Sequence, residues 1–251
     1  MVAAIVLAAL GGLVIGSFLN VVAYRLPRKE SLAHPPSRCP SCGAPVKPYD
    51  NVPVLSWLLL RGRCRACGAA ISARYPVVEA LTGALYALVV VARWDDASGI
   101  ALGIVLVTVL VPVAIIDFEY RIIPNRITAP AAVVALVIGV ALDQDFVAEQ
   151  LIAGAAAGGF FLLAALAYPR GMGMGDVKLA GVMGLYLGRG VGLAVLVGLV
   201  AGVLVGAIIM ARLGAKAGRK TAVPFGPFLA LGGLIAIFAG DAVADAYVDH
   251  F

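Results

Sequence analysis

The chain has 251 residues, of which 62% are hydrophobic and 13% charged, with a formal net charge of +5. Ordinary soluble domains are about 25% charged, so this composition excludes a soluble α/β enzyme, a secreted disulfide-rich mini-protein and a disordered chain. The only two histidines, His34 and His250, argue against a multi-histidine metal site. A basic balance can indicate a nucleic-acid partner, but in a membrane protein the placement of charge matters more than its sum, and we expect no nucleic acid.

Eight apolar runs follow one another along the chain, and a membrane-spanning helix takes about 20 residues. The runs cover residues 2–24, 77–93, 99–117, 127–142, 149–168, 177–188, 190–211 and 224–244. The sixth run is short, which is typical of a half-helix or a tilted entry segment. The sequence therefore predicts an all-α polytopic membrane protein with about eight transmembrane helices.

The distribution of charge predicts the orientation, because cytoplasmic segments of membrane proteins collect Lys and Arg. With the N-terminus outside, only Arg93 and Arg189 of the 19 basic residues fall on the outer side. The inner segments hold the basic residues from Arg25 to Arg74 and Arg121, Arg126, Arg170, Lys178, Arg212, Lys216, Arg219 and Lys220. The outer segments collect the acidic residues Asp95, Asp96, Asp143, Asp145, Glu149, Asp241, Asp245 and Asp249. An even number of spans places both termini outside.

Residues 25–76 form a polar, basic and proline-rich segment that contains all four cysteines. By its charge the segment is a cytoplasmic domain inserted between the first two spans. We therefore expect a first transmembrane helix at 1–24, the inserted domain at 25–76 and a membrane-embedded domain at 77–251.

The cysteines form two C-x-x-C pairs, Cys39 with Cys42 and Cys64 with Cys67, with 21 residues between the pairs and a glycine after each. Such pairs supply two thiolates per turn to a tetrahedral Zn²⁺ ion, and four cysteines close its coordination shell. Disulfides and a redox-active pair are the competing interpretations; cytoplasmic thiols stay reduced, and no βαβ unit surrounds the motif. The sequence predicts a zinc-ribbon-like insertion whose metal is structural.

Three acidic residues lie within or at the edge of the spans, where ionisable groups are costly and indicate function. Asp117 ends the third span, Asp176 begins the sixth, and Glu79 begins the second. Because the third and sixth spans run in opposite directions, Asp117 and Asp176 lie at the same cytoplasmic depth. Two carboxyl groups that share a proton are the machinery of aspartyl proteolysis. Glycines at 171, 173 and 175 leave the backbone beside Asp176 open to a substrate strand.

Position alone leaves other interpretations of this pair open. Asp117 could pair with Arg121 while Asp176 caps the sixth helix, in which case neither has a chemical role. Proton-coupled transport, or a role in assembly, would use the same two carboxylates.

The motifs in this order resemble those of the bacterial type IV prepilin peptidases, which are bifunctional leader peptidase/N-methyltransferases. The matching segments are 16–27 (GSFLNVVAYRLP), the two C-x-x-C pairs, 71–79 (ISARYPVVE), Asp117 with 123–125 (IPN), 173–178 (GMGDVK) and 224–227 (PFGP). The resemblance covers nearly the whole chain, and the ordered set is specific where any one motif would be weak.

The resemblance implies a G-x-G-D membrane aspartyl protease of the bacterial inner membrane. Asp117 and Asp176 match the catalytic pair, and Gly173, Gly175 and Lys178 belong to the active-site loop. Such enzymes cut the basic leader from type IV prepilins and type II secretion pseudopilins after a glycine at the cytoplasmic face. The segment 224–227 is expected to shape a helix entrance near that face.

The resemblance also implies methylation of the new N-terminal amine with S-adenosylmethionine, an activity associated with the zinc-bearing loop. Glu79, Asn20 and Arg74 match family motifs beside that loop, and Glu79 could hold or deprotonate the substrate amine. An ion pair of Glu79 with Arg74 or Arg25 is the alternative. A peptidase with an inactive methyltransferase half also stays open.

Overall fold

The structure is a computed structural model that describes residues 1–169, 172–214 and 223–250, and this part of the chain is helical with no sheet. Arg170, Gly171, Lys216, Arg219 and Lys220, which entered the charge and motif arguments, lie outside the described residues. The helices are α1 (Val2–Arg25), α2 (Leu55–Leu59), α3 (Arg74–Ala92), α4 (Ala97–Tyr120), α5 (Asn125–Leu142), α6 (Phe146–Ala167), α7 (Met174–Leu187), α8 (Val191–Leu213) and α9 (Gly226–Val248). Short 3-10 helices cover Pro48–Asp50 and Gly188–Gly190.

The predicted spans correspond to these long helices. In the described residues, seven helical segments are long and apolar enough to cross a membrane. One of the seven, Met174–Leu213, contains both α7 and α8, which the 3-10 turn at Gly188–Gly190 separates into the sixth and seventh predicted spans. Helices satisfy every backbone polar group internally, as the hydrocarbon core requires. The chain is therefore a multi-pass membrane protein.

The chain divides into two compact units, Met1–Trp94 and Asp95–Phe251. In the first unit, α1 packs along α3, and small residues let the two backbones approach closely. A Cβ atom on Gly12 would lie 2.8 Å from the Cα of Gly83, and one on Gly16 would lie 2.8 Å from the Cα of Glu79. The α1–α3 pair thus forms the apolar base from which the polar segment leaves and to which it returns.

The polar segment is held by specific contacts rather than by a core. The indole Nε1 of Trp57 donates to the carbonyl of Ile71 at 3.0 Å. The Arg65 guanidinium binds the Asp50 carboxylate, with Nη2 2.6 Å from Oδ1 and Nε 2.9 Å from Oδ2. This bidentate geometry is the strong form of an arginine–carboxylate contact. The hydrogen bond from Arg65 lowers the pKa of Asp50 below its ordinary value.

In the second unit, α7 contacts α4, α5, α6 and α9, and α9 also packs on α8. Glycines make the closest approaches. A Cβ on Gly184 of α7 would lie 2.6 Å from the Cα of Gly154 of α6, and one on Gly198 of α8 would lie 3.3 Å from the Cα of Leu229 of α9. These small residues serve packing within the chain.

Two buried polar side chains tie the helices of the second unit together. Gln150 of α6 is fully buried, and its Nε2 donates to the carbonyls of Ala135 in α5 and Leu185 in α7. The Tyr186 hydroxyl of α7 donates to the carbonyl of Ala131 at 2.7 Å. Because lipid offers no hydrogen bonds, such groups are placed where another helix supplies the partner.

Candidate active site and metal centre

Asp117 lies in the last turn of α4 and is 6% exposed. Its Oδ2 accepts a hydrogen bond from the backbone N–H of Gly226, the first residue of α9, at 2.9 Å. Arg121 ends the helix in the left-handed conformation, with φ 55°, and donates its N–H to the Asp117 carbonyl. This turn leads the chain directly into Pro124, before which α5 cannot extend backwards.

Asp176 lies in the first turn of α7, three residues after Gly173, which precedes the helix in an extended conformation. Gly173 is exposed, and Asp176 is half-buried. A Cβ on Gly175 would lie 3.0 Å from the Cβ of Ile123, so glycine lets the start of α7 lie against the segment that joins α4 and α5. The G-x-G-D sequence thus packs α7 against this link while it leaves the backbone at Gly173 accessible.

The structure brings Asp117 and Asp176 together at one end of the second unit. The negative charge of Asp117 acts on Asp176, and the positive charge of Arg121 acts on Asp117. The hydrogen-bond partner of the Asp117 carboxylate is nevertheless the Gly226 amide. The helix-capping position of α7 is occupied by Gly173, so Asp176 lies inside the first turn. Two carboxyl groups in this arrangement can share a proton.

Lys178 is the third member of the predicted active-site loop. Its Nζ donates to the Oδ1 of Asn125 at 3.0 Å, which joins the first turn of α7 to the first residue of α5. The sequence motifs include Asn125 and Gly226, but they predict neither the partner of Asn125 nor the contact that Gly226 makes. Both residues lie within segments that match the family motifs, 123–125 and 224–227. This match is the sequence signal that could have marked them as functional residues.

The four cysteines form a cluster in which the four Sγ atoms all lie within 4.8 Å of one another. The two pairs fold alike: the N–H of Cys39 donates to the Ala44 carbonyl, and the N–H of Cys64 donates to the Ala69 carbonyl. Gly43 and Gly68 follow the pairs with φ of +72° and +71°, a conformation that glycine adopts without strain. The glycine after each pair is therefore part of the knuckle.

This cluster fits a tetrahedral metal ion. Zinc–sulfur bonds of about 2.3 Å place the sulfurs of a tetrahedral site about 3.8 Å apart, and the Cys39 and Cys67 sulfurs are 3.9 Å apart. All four cysteines are free thiols rather than disulfides. The backbone N–H of Cys42, followed by that of Ser41, lowers the pKa of the Cys39 thiol to about 6. A thiol with a lowered pKa loses its proton readily, and the resulting thiolate can bind a metal ion.

The predicted methyl-transfer residues lie in the first unit. Glu79 is buried on α3, and its Oε2 accepts the N–H of Val54 at 2.7 Å. Asn20 is 2% exposed, and its Nδ2 donates to the carbonyls of Gly16 and Tyr75, at 3.3 and 3.2 Å. The Asn20 Oδ1 is buried without a hydrogen-bond partner among the described residues.

Arg25, one of the two arginines suggested as partners of Glu79, binds the start of the polar segment. Arg25 donates to the carbonyls of Ser31 and Pro35, at 2.9 and 2.7 Å, and so holds the start of the polar segment against the end of α1. Arg74 is the first residue of α3. The contact that reaches Glu79 from the segment, through the backbone of Val54, was not foreseen, because no side-chain pattern marks a backbone donor.

A cavity of about 380 Å³ opens beside α1 in the first unit. One face of α1 and two stretches of the polar segment form its walls. Among the lining residues are Ser17, Phe18, Arg25, Pro35, Ser37 and Asn51. Small-molecule sites commonly have about 300–1,000 Å³, so the volume of this half-open cavity lies at the lower end of that range.

Comparison with known proteins identifies the family. Residues 10–93 match the Bacterial Peptidase A24 N-terminal domain, and residues 104–211 match the Type IV leader peptidase family. The chain is 34% identical over 270 residues to the Prepilin leader peptidase/N-methyltransferase of Aeromonas hydrophila, an alignment that covers 95% of this chain and 92% of that protein. The chain belongs to the type IV leader peptidase family. This confirms the resemblance predicted from the motifs.

Other relatives of this type IV leader peptidase carry the same name. The Neisseria gonorrhoeae protein is 37% identical over 273 residues, which cover 96% of this chain and 92% of that protein. The Myxococcus xanthus protein is 39% identical over 183 residues, which cover 70% of this chain and 54% of that protein. No solved structure matches the chain. The family membership makes this protein an enzyme, and the two matched regions fall in its two compact units.

Proposed function

We propose that this enzyme removes the basic leader from type IV prepilins and type II secretion pseudopilins and then methylates the new N-terminal residue. Cleavage falls after a glycine at the cytoplasmic membrane face, and the methyl donor is S-adenosylmethionine. The observation that carries the proteolytic half is the placement of Asp117, in the last turn of α4, near Asp176, in the first turn of α7, where the two helices contact each other and the charge of one aspartate acts on the other. The names of the relatives in Aeromonas hydrophila and Neisseria gonorrhoeae support both activities.

The two aspartates supply the proton transfers of peptide hydrolysis. The ionised carboxylate takes a proton from water while the water oxygen attacks the carbonyl carbon of the substrate glycine. The protonated carboxyl donates a hydrogen bond to the carbonyl oxygen, where negative charge develops. The carbon–nitrogen bond then breaks, and the departing nitrogen takes the proton that came from water. Asp117 and Asp176 fill these two roles, and they share one proton between turnovers.

The active-site loop gives an extended substrate access to this pair. Gly173 is exposed and presents only backbone, so a peptide strand can approach without meeting a side chain. The Lys178–Asn125 hydrogen bond holds the first turn of α7 relative to α5. The loop therefore combines an open edge at Gly173 with a positioned carboxylate at Asp176.

We place this site at the cytoplasmic face of the bacterial inner membrane, with both termini periplasmic. Basic residues accompany the dyad: Arg121 follows α4, Arg126 lies in the first turn of α5, and Lys178 lies in α7. Acidic residues accompany the opposite ends of these helices, as at Asp96 and Asp143. Positive charge collects on the cytoplasmic side of membrane proteins. A substrate whose leader is cytoplasmic and whose apolar helix is in the bilayer would present its junction there.

The test is cleavage of a prepilin in membranes that contain the wild-type protein, Asp117→Asn, Asp176→Asn or Glu119→Gln, followed by mass spectrometry of the product N-terminus. Glu119 is an exposed acid two residues beyond Asp117 and serves as the matched control. We expect a trimmed, methylated product from the wild type and from Glu119→Gln, and no trimming by either aspartate variant.

Each other outcome has a definite meaning. A trimmed but unmethylated product, with S-adenosylmethionine present, would indicate a peptidase whose methyltransferase half is inactive. Cleavage by an inserted aspartate variant would contradict the dyad. An inserted wild type that cuts none of several prepilins would favour proton-coupled transport or an assembly role for the same carboxylates.

The methyltransferase half is assigned to the first unit. The Cys39, Cys42, Cys64 and Cys67 thiolates would hold a structural Zn²⁺ and so stabilise the polar segment. Methyl transfer requires a neutral amine, and the Glu79 carboxylate would take its proton. The buried, unpartnered Oδ1 of Asn20 would accept a hydrogen bond from the same amine.

The cavity beside α1 fits the methyl donor, which supplies a methyl group on a sulfonium sulfur when bound. The Phe18 ring offers a stacking surface for adenine, and the Arg25 guanidinium offers a partner for the amino-acid carboxylate. Ser17 and Asn51 offer hydrogen bonds to ribose hydroxyls. Pro53, which lines the cavity, precedes the Val54 whose N–H binds Glu79, so the cavity wall continues to the proposed base.

Equilibrium binding of labelled S-adenosylmethionine to the purified wild-type protein tests this assignment without reliance on turnover. Phe18→Ala is expected to weaken binding about tenfold, the effect of one stacking interaction. Leu10→Ala, an exposed position on α1 outside the cavity, is the matched control and is expected to bind like the wild type. Equal affinities in Phe18→Ala and wild type would place the donor elsewhere.

A further inference from the structure

The start of α9 touches the carboxylate of Asp117 directly. The N–H of Gly226 donates to Asp117 Oδ2 at 2.9 Å, although 109 positions separate the two residues. Gly226 is the first residue of α9, and the first four N–H groups of a helix have no partner within the helix. This contact therefore satisfies a free helical donor with an oxygen of the proposed dyad.

Only glycine permits this approach. A Cβ on residue 226 would lie 2.7 Å from Asp117 Oδ2, 3.0 Å from its Cγ and 3.1 Å from its Cβ. The first distance is shorter than real Cβ contacts and the other two are at their tight end, so a side chain at 226 would displace the carboxylate or the helix. Asp117 is buried at the end of α4 and has little room to retreat.

A second restriction acts on the same residue, because Pro227 follows it. A proline disfavours helical conformation in the residue before it when that residue has a Cβ. Gly226 is helical and precedes Pro227 without this clash. The effect of a substitution at 226 therefore has two separable sources, the contact with Asp117 and the proline that follows.

We infer that Gly226 is a positioning residue of the proteolytic site. Its N–H fixes the Asp117 carboxylate through Oδ2, so that Oδ1 of Asp117 faces Asp176. This inference rests on the proposed function, since it gives Asp117 a catalytic role. One oxygen of the carboxylate is committed to a backbone donor, whose position is set by α9. The other oxygen is left to share a proton with Asp176 and to act on water. Residue 226 also lies beyond the 104–211 region matched by the Type IV leader peptidase model.

The kinetic test uses Gly226→Ala, Pro227→Ala and the double variant with both changes, each in membranes with a prepilin substrate. Gly226→Ala is expected to lower kcat by about 10- to 100-fold, as small displacements of catalytic groups do. Its KM is expected to stay within about twofold, because substrate binding is not the function of this contact. Pro227→Ala is the matched control and keeps kcat near the wild-type value.

The double variant separates the two restrictions. It removes the proline clash but keeps the Cβ against Asp117, so we expect its kcat to stay as low as that of Gly226→Ala. Recovery to the wild-type rate would show that only the proline restriction matters and would overturn the inference. A kcat for Gly226→Ala within about twofold of wild type would overturn it as well.

A cross-linking test checks the geometry independently of proteolysis. Asp117→Cys combined with Gly226→Cys places two Cβ atoms 3.1 Å apart, so a small opening of the contact brings them to the separation of about 3.5–4.5 Å found in disulfides. Oxidation in membranes is expected to join residues 117 and 226, identified by mass spectrometry of the digested protein. Absence of this link, in a protein that is inserted intact, would overturn the inference even if the wild type cleaves prepilin. Formation of the link with no cleavage by wild type would instead count against the proposed function alone.

Discussion

The two units of this protein are held together by different forces. Between residues 26 and 73 of the first unit, all of which the structure describes, no hydrophobic side chain is buried. In α4 of the second unit, Leu106, Val107, Leu110, Val113 and Ile116 are almost completely buried. The polar segment therefore depends on specific contacts such as the Arg65–Asp50 ion pair and the Trp57–Ile71 hydrogen bond, whereas the helices depend on apolar packing. The comparison teaches that metal loss and core damage should affect different activities.

The largest expected effect is loss of cleavage, which depends on residues of the second unit, without loss of methylation. Asp117→Asn or Asp176→Asn should reduce prepilin cleavage by at least about 1,000-fold, because neither variant can form the shared-proton pair. Methylation of a peptide that already begins at the cut site should continue, since the residues proposed for methyl transfer lie in the first unit. Cleavage and methylation are measured separately by mass spectrometry. Loss of both activities would show that the assignment of cleavage to the second unit and methylation to the first is wrong.

The second prediction is the opposite pattern, in which methylation is lost and cleavage is largely retained. Cys39→Ser with Cys42→Ser should release the metal and reduce methylation by more than about 100-fold, because a domain with little core requires its metal to fold. Cleavage should fall far less. Metal content by mass spectrometry and the two activities provide the readout. Equal losses of cleavage and methylation would mean that the metal supports the whole enzyme.

The third prediction concerns one residue beneath the polar segment. Glu79→Gln keeps the size of the side chain but removes the proton acceptor, so methylation should fall by about 100-fold with zinc content unchanged. Glu30→Gln, at an exposed acid of the same segment, is the control. The measurement is the rate of methyl transfer to a trimmed peptide. A rate unaffected by Glu79→Gln would leave the residue with a structural role through Val54.

The smallest expected effect lies in the packing of the second unit. Gln150→Leu removes the hydrogen bonds to Ala135 and Leu185, and interhelical hydrogen bonds in membranes contribute about 1 kcal/mol. The free energy of unfolding in detergent should fall by about this amount, with cleavage nearly unchanged below the melting temperature. A variant as stable as wild type would show that apolar packing alone holds α5, α6 and α7 together.

Much of the fold could be predicted because its signals are local. An apolar run must be helical in lipid, since each backbone N–H finds its acceptor four residues away. Each cysteine pair closes its turn within a few residues, as the Cys39–Ala44 and Cys64–Ala69 contacts show. Gly12, Gly16 and Gly184 each lie against the backbone of a neighbouring helix, where a small residue lets two helices approach closely.

The contacts that complete the sites could not be predicted in the same way. Val54 reaches Glu79 across 25 positions, and Lys178 reaches Asn125 across 53. In the first contact the donor is a backbone N–H, which every residue except proline possesses. No composition or spacing distinguishes such a donor, so only the path of the chain reveals it.

The amino-acid sequence by itself predicted the apolar helices, the cysteine knuckles and the two aspartates at the ends of the third and sixth apolar runs. Each of these follows from hydropathy, charge or short spacing, which act along the chain. Tertiary structure alone decided that α9 begins against Asp117 and that Gly226 donates to Oδ2. That contact joins distant helices, and it depends on how α4, α7 and α9 pack together, a balance of many small close-range interactions.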